Sequence, residues 1–247
     1  MRNRFSGAVS AVAVFFALWY SAALLLNKAF LPTPTASFAA FYRIVLSGEI
    51  TKHILISSGR VFFSLLIASL TAVPLGLWTG RNKSADRLLT PFIRVLYPLP
   101  KVVFLPIIVI LTGIGNSPKI ILLTLVIFFQ VAVAARDASK SVPLTAVQSI
   151  RSLNAKKTQI YRHLVLPYAL PQIFTSLRIS LGTAVAVLFF AETFASADGV
   201  GYYISDAMSR RSYDLMFAGI IAMALLGLLF YAVIDLSEKY FCRWQKK

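Results

Sequence analysis

Ionisable side chains stand inside apolar runs long enough to cross a bilayer, Arg60, Lys101 and Glu192 among them. A charge at that depth is costly, so it marks either a solute or ion pathway or a partner with which it must be paired. Glu192 closes the run Val185-Ala186-Val187-Leu188-Phe189-Phe190-Ala191-Glu192. Two readings stand for it: a pathway carboxylate, or a structural partner for Arg60 or for a backbone group near the outer interface. Lys101 sits in a proline cluster formed by Pro98, Pro100 and Pro106. There it is either a helix-end lysine reaching for the interface or a cation lining a path. Arg60 lies near the outer end of its run, where it can snorkel or pair. Together with Arg178, these cations would suit a small anion. Catalytic chemistry finds no comparable support. The nine acidic and two histidine residues are scattered, and H-E-x-x-H, G-x-S-x-G and G-x-x-x-x-G-K-[ST] are all absent. His53 and His163 are isolated, and a single Cys242 excludes a disulfide framework and a cysteine metal site.

The second concentration of chemistry is the polar interval from Asp137 to Ser180, with Lys140, Arg151, Lys156, Lys157 and Arg162 against one acid, Asp137. Val142-Pro143 breaks the chain. Ala146, Ile150, Leu153 and Ala155 then recur at roughly helical spacing, predicting a helix from Thr145 to Ala155 with an apolar stripe. A second short segment, Thr158 to Leu166, is expected to end at Leu166-Pro167. A basic loop that merely sets topology is the plainer alternative.

The elements that must position these groups are membrane spans. Hydrophobic residues make up 58% and charged residues 14% of the 247, and mean hydropathy is +0.75. Soluble domains hold about 25% charged residues, so the chain is expected to be an integral membrane protein with room for about six spans. The runs predict spans over 5–27, 55–78, 91–111, 119–135, 173–196 and 215–236. The first is too long for a signal-peptide core. Phe38 to Leu46 is expected to lie along the outer surface, with Phe38, Phe41, Tyr42 and Val45 on one side. The third span, with its prolines, must be broken or bent. Ser117 and Pro118 suit the cap and first turn of the fourth. Gly199 and Gly201 suggest an outer turn. With both termini inside, sixteen of the 25 Lys and Arg fall in inner segments and six in outer ones, Lys119 among the latter. That bias follows the positive-inside rule and accounts for the +16 net charge without nucleic acid.

Three classes of function are compatible with such a chain: a membrane enzyme, a channel or secondary transporter, and the membrane half of a pump powered elsewhere. Scattered acids disfavour the first. The second ordinarily shows internal repeats and paired intramembrane charges, and neither is visible. The inner loop decides for the third, because it resembles the cytoplasmic coupling (EAA) loop of permease subunits of bacterial ATP-binding-cassette importers. Gln148-Ser149-Ile150 occupies the Glu-Ala-Ala place, Arg151-Ser152-Leu153 follows, Asn154 takes the Gly place, and Leu164, Leu166 and Pro167 close the motif. Gln148 removes the family's acid. Asn154 is the milder departure, since Asn tolerates the left-handed turn that Gly would supply.

From His53 to about Trp244 the chain is similar to permeases of the nitrate, sulfonate, taurine and bicarbonate importer group. The stretches that match are Ser58-Gly59-Arg60, Pro74-Leu75-Gly76, Pro98-Leu99-Pro100-Lys101, Leu105-Pro106, Gly113-Ile114-Gly115, Leu166-Pro167 through Ser180, Ala191-Glu192, Gly199-Val200-Gly201-Tyr202 and Phe217-Ala218-Gly219-Ile220. The resemblance implies an all-α type I importer permease fold with about six transmembrane helices. Residues 1–52 would form an N-terminal span and outer segment, and 53–247 a permease core with a coupling loop at 137–171. It implies a non-enzymatic translocation subunit of an ATP-driven importer, carrying a small sulfonate- or nitrate-like anion. The group also imports thiamine-precursor pyrimidines, which leaves the cargo's charge open. The alternative is a secondary transporter or channel without an ATPase. Expected partners are a second permease subunit in a homodimer, two ATPase subunits that use ATP and Mg, an extracytoplasmic solute-binding protein and membrane lipid. This chain itself would bind no cofactor, metal or nucleic acid. It would sit in the bacterial cytoplasmic membrane as a multi-pass protein with both termini cytoplasmic. Gln148, Ile150, Arg151, Leu153, Asn154, Ala155, Leu166 and Pro167 would couple to the ATPase, and Lys101, Glu192 and Arg60 are the pathway candidates.

Overall fold

A computed structural model describes residues 2–194 and 196–245, and these contain helices and turns but no strand. In chain order the helices are α1 (Arg2–Leu26), α2 (Pro34–Leu46), α3 (Thr51–Arg81), α4 (Lys83–Leu96), α5 (Leu105–Thr112), α6 (Asn116–Lys140), α7 (Leu144–Ser152), α8 (Lys157–Ile160), α9 (Leu166–Thr193), α10 (Val200–Ser209) and α11 (Tyr213–Phe241). Four helical stretches are long and apolar enough to cross a membrane: α3, α6, the continuous stretch Lys157–Thr193, and α11. A fifth is obtained if α4 and Lys101–Thr112 are taken together as one span bent by 86°. The expected six is reached only by adding α1, whose apolar described stretch is Ser10–Leu26.

The third run departs furthest from a plain span. Pro98 and Pro100 each remove a backbone donor and fix their own φ, and they also push the residues before them out of the α region. The helix therefore stops at Leu96, and a 3-10 turn, Lys101–Phe104, leads into the short α5. The second loop segment differs in the opposite sense, because Leu166-Pro167 does not terminate it. The chain widens into a π turn at Tyr161–Val165 immediately before Pro167, which accommodates the missing N–H and the ring. The fifth span thus begins at Lys157, not near residue 173, and runs through Pro171. Likewise α6 starts at Asn116 behind Gly115, whose φ of 141° needs glycine, so Ser117 is not its cap.

Residues Met1–Ser57 with Glu192–Leu225 form one compact unit, and Ser58–Ala191 with Leu226–Lys247 a second. In the first, α2 buries Pro34, Ser37, Ala40 and Ile44. Phe38, Tyr42 and Val45, on the side expected to lie against the membrane surface, are exposed. Around α1, the Trp19 indole donates to Pro32 O at 3.1 Å and stacks on Phe217 with ring centroids 5.5 Å apart.

In the second unit α3 and α6 approach so closely that only glycine fits between them. A Cβ on Gly76 would lie 2.6 Å from Ala132 O, and one on Gly80 would lie 2.5 Å from Arg136 O. This is a small-residue crossing with the G-x-x-x-G spacing used between membrane helices. Ser139 Oγ locks it by donating to Leu77 O at 2.9 Å. The crossing fixes the C-terminal ends of both helices, and α7 follows the C-terminal end of α6. Further along, Leu105, Ile108, Leu122 and Ala191 form a buried apolar cluster.

Candidate functional site

Within the first unit, Glu192 is fully buried and organises the start of α10. The first turn of a helix leaves N–H groups without intrahelical acceptors, and here side chains distant in sequence supply them. Glu192 Oε2 accepts from Gly201 N at 2.8 Å, Ser57 Oγ accepts from Val200 N at 2.8 Å, and His53 Nδ1 accepts from Gly199 N at 3.1 Å. Ser57 in turn donates to Glu192 Oε1 at 2.7 Å, so the hydroxyl bridges carboxylate and helix start. Gly199 supplies the φ of 106° that turns the chain into α10. The stretch that follows, Val200–Ser209, is a helix. Tyr203 donates to Glu49 Oε1 at 3.0 Å. Burial, reinforced by that carboxylate, holds its hydroxyl well above the usual tyrosine range, which keeps it a neutral donor. The arrangement shares out a buried charge over a hydroxyl and a helix N-terminus, the environment in which a carboxylate is best accommodated.

The second unit holds the other two pathway candidates. Arg60 does not snorkel: it is 2% exposed, and its Nε donates to Asn116 Oδ1 at 2.9 Å at the start of α6. Lys101 stands at the break after α4, half-buried. It donates to Tyr97 O and lies over the rings of Tyr97 and Phe129, at 5.5 and 5.2 Å from their centroids. It thereby covers a carbonyl that the broken helix leaves without an internal partner. Lys119, assigned outside by charge counting, is fully buried in the first turn of α6. Arg178 pairs with Glu238 and lies 3.8 Å from Asp235.

After α6, α7 spans Leu144–Ser152 and the chain turns at Asn154 with φ 60°, the left-handed conformation. Ala155 lies in the turn, beyond the helix. Val147 alone on α7 is buried, Ala146 and Ile150 are half-buried, and Gln148 and Arg151 are exposed. Leu144 and Leu153 are 71% and 80% exposed. Leu166 and Pro167 are half-buried in the first turn of α9. Beside α7, Asp86 accepts from Arg136 Nε and Lys140 Nζ, each at 2.6 Å, joining α4 to the end of α6. Among the described residues no group of three or more His, Cys, Asp or Glu could hold a metal ion.

Residues 72–244 match the model of the binding-protein-dependent transport system inner membrane component. The chain belongs to that family. This inner membrane component is 30% identical to the taurine transport system permease protein TauC of Escherichia coli (strain K12), over 96% of this chain and 88% of that one. It is 31% identical to the putative aliphatic sulfonates transport permease protein SsuC of Bacillus subtilis (strain 168), over 94% and 85%. Its fold is similar to that of a chain in the inward-facing MetNI methionine ABC transporter. The TM-score is 0.66, the identity 20%, and the cover 80% of this chain and 96% of that one. The all-α type I importer permease architecture and the role of translocation subunit are thereby established, with ATP hydrolysis belonging to separate family components.

Ser57 carries no expectation above and His53 is expected to be isolated, yet the sequence holds a signal for both. His53, Ser57, Arg60 and Ser64 fall at i, i+4, i+7 and i+11, a polar stripe along an otherwise apolar helix.

Proposed function

We propose that this chain is the permease subunit of an importer for small sulfonate-type anions, working as a homodimer with two ATPase subunits and an extracytoplasmic solute-binding protein. The names of the taurine and aliphatic-sulfonate relatives support that cargo class. Residues 53–247 act as the permease core, both termini are cytoplasmic, and ATP with Mg is used by the partner ATPase. The segment 137–171 is the coupling loop. The observation that carries this reading is α7 itself, a short helix between two membrane-spanning stretches that buries Val147 and leaves apolar residues uncovered at both of its ends. Leu153 and Leu144 are largely exposed and Ile150 half so, with Gln148 and Arg151 beside them. Such residues suit a groove on a partner. ATP-driven closure of the ATPase pair would then drag α7, and through it the stretch Lys157–Thr193, between inward- and outward-open states. Each state must bind its own ligand better than the other does for this to work. The bent region at Lys101 is the assigned cargo path, because backbone freed at membrane depth is tolerated against protein or water. Arg60 and Glu192 are assigned positioning roles.

The test is reconstitution with the partner ATPase and binding protein in vesicles, reading ATPase retention and taurine uptake. Ile150→Asp or Leu153→Asp is expected to release the ATPase and abolish uptake while the permease stays monodisperse. Retained ATPase and retained uptake in both variants would refute the docking role. Lys101→Met is expected to lower uptake with assembly intact and Lys101→Arg to restore part of it; unchanged uptake in Lys101→Met would remove Lys101 from the path.

A further inference from the structure

At the inner ends of the second unit's helices, an open cleft of about 450 Å³ is lined by Arg81, Lys83, Arg151 and Lys157, with Trp78 and Tyr161 among the walls. No carboxylate lines it, and none of the four cations forms an ion pair among the described residues. Asp86, in the adjoining recess that Arg81 and Lys83 also line, is held by Arg136 and Lys140 at 2.6 Å each. The cleft thus gathers four like charges from four places: the end of α3, the start of α4, α7 and the start of α8. Like charges in one concavity repel one another and focus a positive field, a combination that an anion relieves. Trp78 is half exposed at the end of a membrane-spanning helix. An aromatic residue there sits at headgroup depth, and basic pockets between the inner ends of spans take phospholipid headgroups.

We propose that this cleft is a phosphate-recognition site occupied by the headgroup of an anionic inner-leaflet phospholipid. The occupant would tie α7 to the ends of α3 and α8, bracing the segment that moves against the ATPase. The site stands independently of the cargo.

The experiment is native mass spectrometry of the delipidated full chain in neutral detergent, with phosphatidylglycerol and phosphatidylcholine offered at equal mole fraction. Phosphatidylglycerol should be retained preferentially. Arg81→Gln/Lys157→Gln should lower its retention about thirtyfold, since each cation near the surface contributes about fivefold. Arg81→Lys/Lys157→Arg, which keeps the charge, should retain it. Arg87→Gln/Arg162→Gln, which removes two exposed cations outside the cleft, should leave it unchanged. Equal retention of both lipids, equal retention by parent and Arg81→Gln/Lys157→Gln, or an equal fall in Arg87→Gln/Arg162→Gln would overturn the proposal. Displacement of the lipid by millimolar inorganic phosphate would reassign the site to a soluble phosphate. Loss of a co-purifying ATPase in Arg81→Gln/Lys157→Gln, with lipid retention unchanged, would make the cleft a protein interface instead.

Discussion

Ser57→Ala is the sharpest perturbation of the Glu192 network, because one hydroxyl serves two buried partners there. It removes the 2.7 Å donor to Glu192 Oε1 and the 2.8 Å acceptor for Val200 N. A hydrogen bond to a charged group contributes about 1.5–3 kcal/mol, and a buried N–H left without an acceptor costs about 1–3 kcal/mol. The two losses share one atom and so do not add fully; about 3 kcal/mol is the working figure. The stabilisation lost is local, at the first turn of α10. Amides of residues 200–204 should then exchange with solvent about a hundredfold faster through local opening. Hydrogen-exchange mass spectrometry on peptides from α10 reads this directly, with peptides from α6 as the internal reference. His53→Ala should act more weakly, because its bond to Gly199 N is longer and only part-buried, so water can replace the acceptor. A tenfold or smaller acceleration is expected. Two results would refute the reasoning. One is exchange in Ser57→Ala within about threefold of the parent. The other is acceleration of α6 peptides to the same extent, which would mean global loosening and not release of one helix start.

Gly80→Ala should be poorly tolerated although the change adds a single methyl group. Its Cβ would sit 2.5 Å from the Arg136 carbonyl oxygen and 2.6 Å from Ser139 Cβ, and backbone cannot step aside. A loss of about 1–3 kcal/mol, read as a lower apparent melting temperature in detergent, is expected, and an unchanged value would deny the close crossing. Asp86→Asn should cost about 1–2 kcal/mol, since the carboxylate is part-exposed and screened although it binds two cations. The parent's advantage over this variant should shrink in high salt, and a salt-independent difference would show that the pairing is not electrostatic. Glu192→Gln keeps an acceptor for one N–H but weakens the charge-assisted bonds. It should speed exchange in α10 by less than Glu192→Ala does, and the reverse order would contradict the assignment of the carboxylate to the helix start.

What the sequence disclosed and what it hid follow from the solvent. The spans were legible as apolar runs, and the turn at Asn154 was legible because Asn is the side-chain-bearing residue that best tolerates φ 60°. The break in the third run was legible from its prolines, but its 86° angle was not, because a missing N–H says where a helix fails and not where the chain goes next. Pro167 misled for a related reason: whether a helix stops at a proline or widens ahead of it depends on packing around the π turn. Glu192 stayed ambiguous because one partner, Ser57, is 135 residues away in sequence.

The exposed apolar side of α2 carries the more general point. In water, large apolar residues mark the packed side of a helix; in lipid that driving force is absent between helices, and small or polar side chains mark it instead. Along α3, Ser57, Arg60, Ser64, Ala68, Ala72 and Thr79 are buried, whereas Leu55 and Leu70 are each 67% exposed. The same inversion leaves Phe38 and Tyr42 outward on α2 while Ser37 and Ala40 pack inward. Followed by its small and polar residues, the sequence of α3 does announce its interior face from Ser57 to Gly80. In the second unit that face leads to the close crossing with α6, the helix that precedes α7. A serine or alanine in such a helix therefore carries more information about contact than a leucine does.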